Sequence, residues 1–446
     1  MNKNKAHQFI QTKRVDESGA WYGLDNAGII MPAVTNTVNT GLFRFEFQLK
    51  DPIDLDVLNR ALTDCTNRFP YFNVNLKRGF FWYYLDQCKT SPRVYSDQGS
   101  PSQGWNINKR GTRMFRIRVQ GNRLAGEFSH ALTDGAGAMS FMKSLLVQYF
   151  SLLGIKAGSE LGQAENADIL STDSPVPPEE YEDAYQRYFP GSLPAPEANP
   201  KAWHLKGEQL PRGSYRIIVG RLKLSEVLSE VKKRNVTLSG FLGAVYLDAL
   251  QSLWFAQSKK PRERIISVEI PVNLRQFFTS KTNRNFSLFF LLKENLDLGA
   301  RSFDELVKRA HHRMKIEGDP KSLAMQIARN AGGTRNPIVR VIPLFLKDIA
   351  GKILFSVLGE SMLSGFISNL GVLRLPPGIR AHVKSVVFSP APSTTTLTNA
   401  SVLSYNDELV ISFGSLLRSR QLEQLYFRRL RDLGLSVAVY CRADEE

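Results

Sequence analysis

Cysteine is scarce in this chain, since Cys65, Cys88 and Cys441 are the only three among 446 residues. An odd number of widely spaced cysteines supports neither a disulfide framework nor a cysteine-rich metal site. The first eight residues are polar and lack the apolar core of a secretory signal. We therefore expect the protein to occupy a reducing compartment, the cytoplasm.

Long apolar runs are also absent. No uncharged apolar stretch approaches the ~20 residues that a membrane-spanning helix needs. The most apolar zone covers residues 338–358, where Arg340, Lys347, Asp348 and Lys352 interrupt it. This zone fits either a buried core helix or a helix lying on a membrane surface, and we favour the core helix. A membrane surface therefore stays among the candidate partners.

Acidic residues are outnumbered, because 58 Lys and Arg stand against 42 Asp and Glu, a net charge of +16. Such an excess favours anionic partners, among them nucleotide phosphates, an acidic carrier protein, nucleic acid and an anionic membrane. The basic residues are scattered, however, in short clusters such as residues 232–234. We therefore predict a solvated basic surface and no nucleic-acid partner.

Motifs for nucleotide-driven and metal chemistry are missing. No Gly-x-Gly-x-x-Gly follows a predicted strand, and the sequence has no Walker loop. His204 and His382 lack Cys, Asp or Glu at the spacing of a ligand set. We therefore predict no metal site.

What the chain does have is enough length for more than one hydrophobic core. Period-two alternation predicts strands at residues 42–49 and 115–120, and residues 123–129 form a hairpin with the latter. Prolines cluster between residues 154 and 212, and the second half then repeats the mixture of strands and helices. We predict an α/β fold with mixed sheets: a first lobe over residues 1–153, a Pro-rich crossover on the surface over 154–212, and a second lobe over 213–446. The cleft or tunnel between the lobes is the expected ligand site.

His130 directly follows the predicted strand at 123–129, and Asp134 and Gly135 form a turn before a long helix. An imidazole titrates near neutrality, which suits a general base in a cleft. The alternative is a core histidine whose ring nitrogens are satisfied by neighbouring groups.

Residues 129–135, Ser-His-Ala-Leu-Thr-Asp-Gly, resemble the His-x-x-x-Asp-Gly motif of the acyl-CoA-dependent acyltransferase superfamily. That superfamily has the fold of chloramphenicol acetyltransferase. It includes the condensation domains of nonribosomal peptide synthetases, plant alcohol acyltransferases and microbial alcohol acetyltransferases. Residues 68–72 (Arg-Phe-Pro-Tyr-Phe) and 368–371 (Ser-Asn-Leu-Gly) resemble two further elements of the superfamily. The likeness covers nearly the whole chain and is closest to the alcohol acetyltransferase and condensation-like branches.

The resemblance implies a chemistry without metal or permanently bound cofactor. Acyl-CoA would be the co-substrate, and a small alcohol or amine would be the acceptor. His130 would act as the general base, beside Asp134 and Gly135. Asp134 would point away from substrate and pair with Arg275, since an unpaired buried carboxylate is costly.

Two residues of the second half complete the expected site. Ser368 and Asn369 are candidate contacts to the oxyanion or to substrate, and the backbone N–H near Gly135 is a third candidate donor. We expect the protein to be a monomer.

Three departures from the superfamily keep alternatives open. Ser129 stands where condensation domains usually carry a first histidine, and the plant-type Asp-Phe-Gly-Trp-Gly motif is absent apart from Phe413-Gly414. The sequence also contains no carrier or adenylation segment, so an acyl carrier protein is a candidate partner that would have to be a separate chain. The alternatives are a stand-alone condensation-type protein that uses a carrier-bound thioester and a non-catalytic binding protein of the same fold.

Overall fold

The computed structural model describes residues 13–16, 19–158, 163–194, 199–355 and 359–442. The smallest of its three sheets is antiparallel, with strand order β1-β2-β5-β4. Its strands are β1 (Lys13–Asp16), β2 (Gly19–Gly23), β4 (Val74–Arg78) and β5 (Tyr83–Gln87). In the β4–β5 hairpin the Gly79 N–H donates to the Trp82 carbonyl at 3.0 Å. A Cβ on Gly79 would lie 2.7 Å from that oxygen, which explains the glycine.

The five-stranded sheet carries the strand that leads to His130. Its order is β13-β3-β8-β7-β6, formed by β3 (Leu42–Leu49), β6 (Val94–Ser96), β7 (Phe115–Gln120), β8 (Arg123–Ser129) and β13 (Val383–Ser389). The predicted strands at 42–49, 115–120 and 123–129 are thereby confirmed.

Helices α2 (Leu55–Arg68) and α3 (Gly135–Leu152) share a hydrophobic core with this sheet. Alternate residues of β3, Phe43, Phe45 and Phe47, enter that core. The Asp54 carboxylate caps α2 by accepting from the Asp56 and Val57 N–H groups at 3.0 Å.

The seven-stranded sheet has the order β11-β10-β12-β14-β15-β9-β16. Its strands are β9 (Arg216–Lys223), β10 (Ile265–Asn273), β11 (Ser287–Asn295), β12 (Gly365–Leu373), β14 (Thr398–Tyr405), β15 (Glu408–Ser415) and β16 (Ala438–Arg442). Helices α5 (Leu224–Lys233), α6 (Leu238–Phe255), α7 (Phe303–Glu317) and α12 (Gln421–Asp432) pack into the core of this sheet.

Six further helices connect these parts: α1 (Met31–Val34), α4 (Ala184–Arg187), α8 (Pro320–Arg335), α9 (Pro337–Val341), α10 (Leu344–Leu354) and α11 (Pro377–Arg380). Within the described ranges no single helix is long and apolar enough to cross a membrane. Taken together, the bent pair α5 and α6 has the length and the apolar composition of a membrane span, and nothing else supports such a span.

The prediction of a core helix in residues 338–358 is wrong. Helices α9 and α10 fall in this zone, yet Ile338, Phe345, Ile349 and Ile353 are exposed. The inward side of α10 is formed by buried Leu344 together with half-buried Lys347 and Asp348, which bond to the β4–β5 hairpin. The apolar residues on the opposite side therefore face solvent. Of the zone, residues 356–358 lie outside the described part of the chain.

The lobe boundaries stay a prediction, and one strand does not follow them. Strand β13 comes late in the chain, but it pairs antiparallel with β3 from Val383↔Leu49 to Ser389↔Arg44. Phe388 of β13 stacks on Phe45 with ring centroids 4.9 Å apart. The chain therefore returns to its first sheet after it has built most of the second.

The predicted crossover does not lie on the surface throughout, which corrects that expectation. Glu180 is buried and accepts two hydrogen bonds of 2.7 Å from Arg68 of α2. The hydroxyl of buried Tyr185 donates to the Ser287 carbonyl at 2.5 Å. Burial is tolerated here because these polar groups have partners.

Candidate active site

His130 lies one residue beyond β8, and strand pairing fixes its backbone. The last pair of the β3–β8 ladder is Leu42↔Ser129, and the His130 N–H donates to the Gly41 carbonyl at 3.2 Å. The imidazole packs against Phe43 with ring centroids 4.6 Å apart. The residue as a whole is half-buried.

Asp134 organises the turn between His130 and α3. It is the N-cap residue of the helix, where one carboxylate oxygen accepts from the Gly137 N–H at 3.0 Å. The other oxygen accepts from the Phe286 N–H at 2.8 Å. One side chain therefore ties the start of α3 to the loop before β11.

Asp134 and Arg275 are paired, as predicted. The Arg275 guanidinium donates two hydrogen bonds to the Asp134 carboxylate, at 2.9 and 3.3 Å. The two side chains are only 8% and 15% exposed, so solvent screens the pair weakly. Arg275 also donates to the Thr282 and Arg284 carbonyls, at 2.9 and 2.6 Å. These bonds hold both the carboxylate and the loop in front of it.

Gly135 and Gly137 are needed for close packing against the second half of the chain. A Cβ on Gly137 would lie 2.1 Å from the Asn283 carbonyl oxygen. A Cβ on Gly135 would lie 2.6 Å from a methyl carbon of Leu370, on β12. Any larger residue would push the helix away from these neighbours, so the structure gives Gly135 a steric role.

Asn285 is a site residue that the sequence analysis missed. Its amide nitrogen donates to the His130 carbonyl at 2.9 Å and to both oxygens of buried Asp25, at 3.1 and 3.0 Å. Its neighbour Arg284 donates to the Leu132 carbonyl at 3.0 Å. The available signal was a run of seven polar residues, 279–285, shortly before an apolar strand.

Burial lowers the pKa of the His130 imidazole from its ordinary value. The charge of Asp134 and hydrogen bonds with the Asn285 side chain and the Thr133 backbone act in the opposite direction. The remaining shift keeps the ring neutral at pH 7, and a neutral imidazole is the form that accepts a proton.

Ser368 and Asn369 point to opposite faces of β12. The Asn369 amide donates to the Ser239 hydroxyl at 3.1 Å, and its carbonyl oxygen accepts from the Gly371 N–H at 2.9 Å. Asn369 is thus engaged within the second half and is not brought to His130. Half-buried Ser368 lies beside Ser401 of β14 in the parallel register, and Ser401 donates to the Phe388 carbonyl at 2.6 Å.

Glu269 is a second residue that the sequence analysis missed. Its neighbours Val268 and Ile270 enter the core of the seven-stranded sheet, so Glu269 faces the opposite side of β10. It stands level with Phe366 of β12, two residues before Ser368 and on the same face. Burial raises the pKa of its carboxyl group to about 7. Within the described ranges this carboxyl forms no hydrogen bond or ion pair. An acidic residue inside the apolar run 265–270 was the available signal.

The described residues contain no group of three His, Cys, Asp or Glu that could hold a metal ion. The described residues provide an imidazole with a lowered pKa, a buried ion pair at the same turn, and a hydroxyl and a carboxyl on one face of the seven-stranded sheet. These groups can move a proton and donate hydrogen bonds.

Several solved structures are similar to this chain. Trichothecene 15-O-acetyltransferase TRI3 from Fusarium sporotrichioides shares 12% identity over 95% of this chain and 96% of its own, with a TM-score of 0.57. F. graminearum TRI101, solved with coenzyme A and T-2 mycotoxin, shares 12% over 92% and 96%, with a TM-score of 0.59. The starter condensation domain of rhizomide synthetase RzmA, a mutant solved with C8-CoA and Leu-SNAC, shares 13% over 93% of each chain, with a TM-score of 0.57.

Sequence comparison adds nothing to this, since no family model and no curated protein matches the chain. At 12–13% identity the shared property is the fold, and it extends over more than nine-tenths of each chain. The predicted fold class is therefore confirmed: the chain has the two-lobed α/β fold of the chloramphenicol acetyltransferase-like acyltransferases and condensation domains.

Proposed function

We propose that the protein is an acyltransferase that moves an acyl group from a coenzyme A thioester to an alcohol or amine, with His130 as the general base. The observation that carries this proposal is the setting of His130. Burial lowers the pKa of its imidazole, the residue is half-buried, and its backbone is hydrogen-bonded to Gly41 of the first half and Asn285 of the second. The fold is shared with a trichothecene 15-O-acetyltransferase and with TRI101, which was solved in complex with coenzyme A.

In the proposed reaction the acceptor oxygen or nitrogen attacks the thioester carbon while its proton passes to His130. The tetrahedral intermediate carries a negative oxygen, for which the Gly135 N–H and the Ser368 hydroxyl are candidate donors. Its collapse breaks the C–S bond, and the departing thiolate takes the proton from the imidazolium. The ester or amide and the free thiol leave, and the imidazole is neutral again.

Asp134 and Arg275 support this step as positioning residues. Asp134 caps α3 and receives the Phe286 N–H, so it sets the distance between the His130 turn and the second half. Its carboxylate is occupied by Arg275 and by backbone N–H groups. It therefore has no part in the proton transfer itself.

The runner-up function is condensation with a carrier-bound thioester, favoured by the likeness to a starter condensation domain. Ser129 weakens it, because this buried hydroxyl accepts the Ala131 N–H at 3.2 Å and shapes the turn. An acyl-pantetheine thioester separates the two, since it lacks the nucleotide of coenzyme A. Turnover with acyl-pantetheine alone would favour the carrier-bound donor.

Replacing His130 tests the proposal. Free-thiol release from acyl-CoA, measured with a panel of alcohols and amines, should fall ~10²–10⁴-fold in His130→Ala. His312→Ala is the matched control, because His312 is exposed on α7. Wild-type activity should also fall as pH decreases through the ring pKa, with a midpoint below the ordinary histidine value. Unchanged turnover in a folded His130→Ala protein would contradict the mechanism.

A further inference from the structure

Helices α9 and α10 and the tip of the β4–β5 hairpin form an exposed apolar patch. We define the patch by six side chains that are each between 56% and 72% exposed: Phe80, Ile338, Val341, Phe345, Ile349 and Ile353. Contiguous apolar surface of this kind on a folded protein marks an interaction site.

The patch is one continuous surface. On α10, Phe345, Ile349 and Ile353 follow one another at four-residue spacing, so they form a single stripe. The hairpin tip is fastened beside this stripe, because the Leu344 N–H donates to the Phe80 carbonyl at 2.9 Å. Lys347 donates to the Phe81 carbonyl at 2.9 Å and covers the Trp82 ring at 3.4 Å.

The surroundings of the patch are basic. Residues 329–355 contain five Lys and Arg and a single acid, Asp348. That carboxylate is already paired with Arg78 at 3.1 Å and accepts from the Tyr83 hydroxyl at 3.0 Å. Arg340 and Lys352 are exposed at the edge of the stripe. Neither cation forms an ion pair with the described residues, although Arg340 donates to the Thr334 carbonyl at 3.2 Å. An apolar stripe bordered by such cations is complementary to a membrane surface, with its apolar interior and anionic headgroups.

The patch also lies close to the His130 turn. Gly351 of α10 packs on Ile30, where a Cβ would lie 2.8 Å from the Ile30 side chain. Two residues earlier, Gly28 is pressed against the Ala131 carbonyl, where a Cβ would lie at 2.9 Å. One short segment therefore separates the back of α10 from the residue after His130.

We infer that this patch docks on an anionic membrane surface. Phe345, Ile349 and Ile353 enter the headgroup region while Arg340 and Lys352 contact lipid phosphates. The chain lies on the bilayer and does not cross it through these helices, which are far shorter than a span. The acyltransfer site is thereby held next to the lipid surface.

Vesicle flotation of the full chain tests this inference. The protein should float with phosphatidylcholine vesicles that contain phosphatidylglycerol, and far less with phosphatidylcholine alone. The triple variant Phe345→Ser/Ile349→Ser/Ile353→Ser should lose about tenfold or more in apparent affinity. Leu228→Ser/Leu298→Ser/Ile316→Ser removes exposed apolar residues elsewhere and should bind as wild type. Arg340→Gln/Lys352→Gln should lose the preference for anionic vesicles.

Three results would overturn the inference. The first is absence of wild-type binding to the anionic vesicles. The second is equal loss of binding in the patch and control triple variants. The third is a concentration-dependent dimer, seen by light scattering, that the patch variant abolishes, since this would assign the patch to a second copy of the chain. None of these measurements depends on acyl transfer, so failure of the membrane inference can be distinguished from failure of the proposed function.

Discussion

At the scale of single residues, Asp134 connects three parts of the site. One carboxylate caps a helix, pairs with a guanidinium and receives an N–H from the other half of the chain. All three contacts are in a region with little access to water. The free energy of folding and the position of His130 therefore depend on the same side chain.

We expect Asp134→Ala to lower both stability and activity. The change leaves the Arg275 guanidinium buried without its carboxylate, which typically costs ~3–5 kcal/mol. Thermal unfolding should show a clear drop in melting temperature, and free-thiol release should fall with it. Glu208→Ala is the control, since Glu208 pairs with Arg418 on the surface and such pairs contribute ~0–1 kcal/mol. Equal melting curves for the two variants would show that the Asp134 pair is not structural.

The sequence predicts some of these residues and not others, for a physical reason. His130, Asp134 and Arg275 stand at positions that a local motif or a strand end makes recognisable. Asn285 acts through a contact across the fold, to the His130 carbonyl on another loop, and Glu269 is distinguished only by its burial on one face of a sheet. Their roles depend on the packing of segments that are distant in sequence, and a local sequence pattern does not reveal such packing.

At the scale of elements, the five-stranded sheet buries a cluster of charges on the face opposite its aromatic core. Glu127 of β8 accepts from Arg44 at 2.8 Å and from Arg118 at 3.1 Å, and it also pairs with Arg116. Period-two alternation predicts these strands correctly. Their polar face is covered by the loop at residues 102–103, since Arg116 donates to the Gln103 carbonyl at 2.7 Å and the Ser102 N–H donates to Glu127 at 2.9 Å.

This cluster should make the protein sensitive to acid. Burial alone raises the pKa of Glu127, but the charges of Arg116, Arg44 and Arg118 outweigh it and lower the pKa to about 2. The folded state therefore gains stability from the ionised form above pH ~4.5, and this gain is lost as pH falls toward 2. A shift of this size is worth at most about 3 kcal/mol.

Glu127→Gln should remove that pH dependence. At pH 7 we expect a loss of about 3 kcal/mol in the free energy of unfolding, because Arg116 loses its carboxylate while Arg44 and Arg118 keep only Asp97 and Glu46 nearby. Between pH 5 and pH 3 the variant should lose less stability than wild type, as measured by urea unfolding. Parallel pH curves for the two proteins would contradict the assigned role of Glu127.

At the scale of the whole molecule, strand β13 joins the two halves. It comes from the second half and completes the sheet that delivers His130. Composition and periodicity predict two mixed lobes, and the fold agrees with that. They do not predict that β13 pairs with β3, because the sequence of a short apolar strand does not identify the strand with which it pairs.

Residues 1–212 alone should therefore fail to fold into a soluble lobe. The fragment lacks β13, so β3 has an unpaired edge and Phe45 loses its contact with Phe388. Size-exclusion chromatography should show aggregates for this fragment. Co-expression with residues 213–446 should restore a soluble complex. A monodisperse fragment 1–212 with native-like near-UV circular dichroism would contradict this prediction.

The late position of β13 in the chain also delays completion of the five-stranded sheet during biosynthesis. Strand β3 ends at residue 49 and its partner begins at residue 383, so the first strand leaves the ribosome long before the second. At roughly 5–20 residues per second, the delay is on the order of tens of seconds. Throughout that interval the nascent sheet has an unfinished edge, on which chaperones, or other nascent chains, can act before the chain is complete.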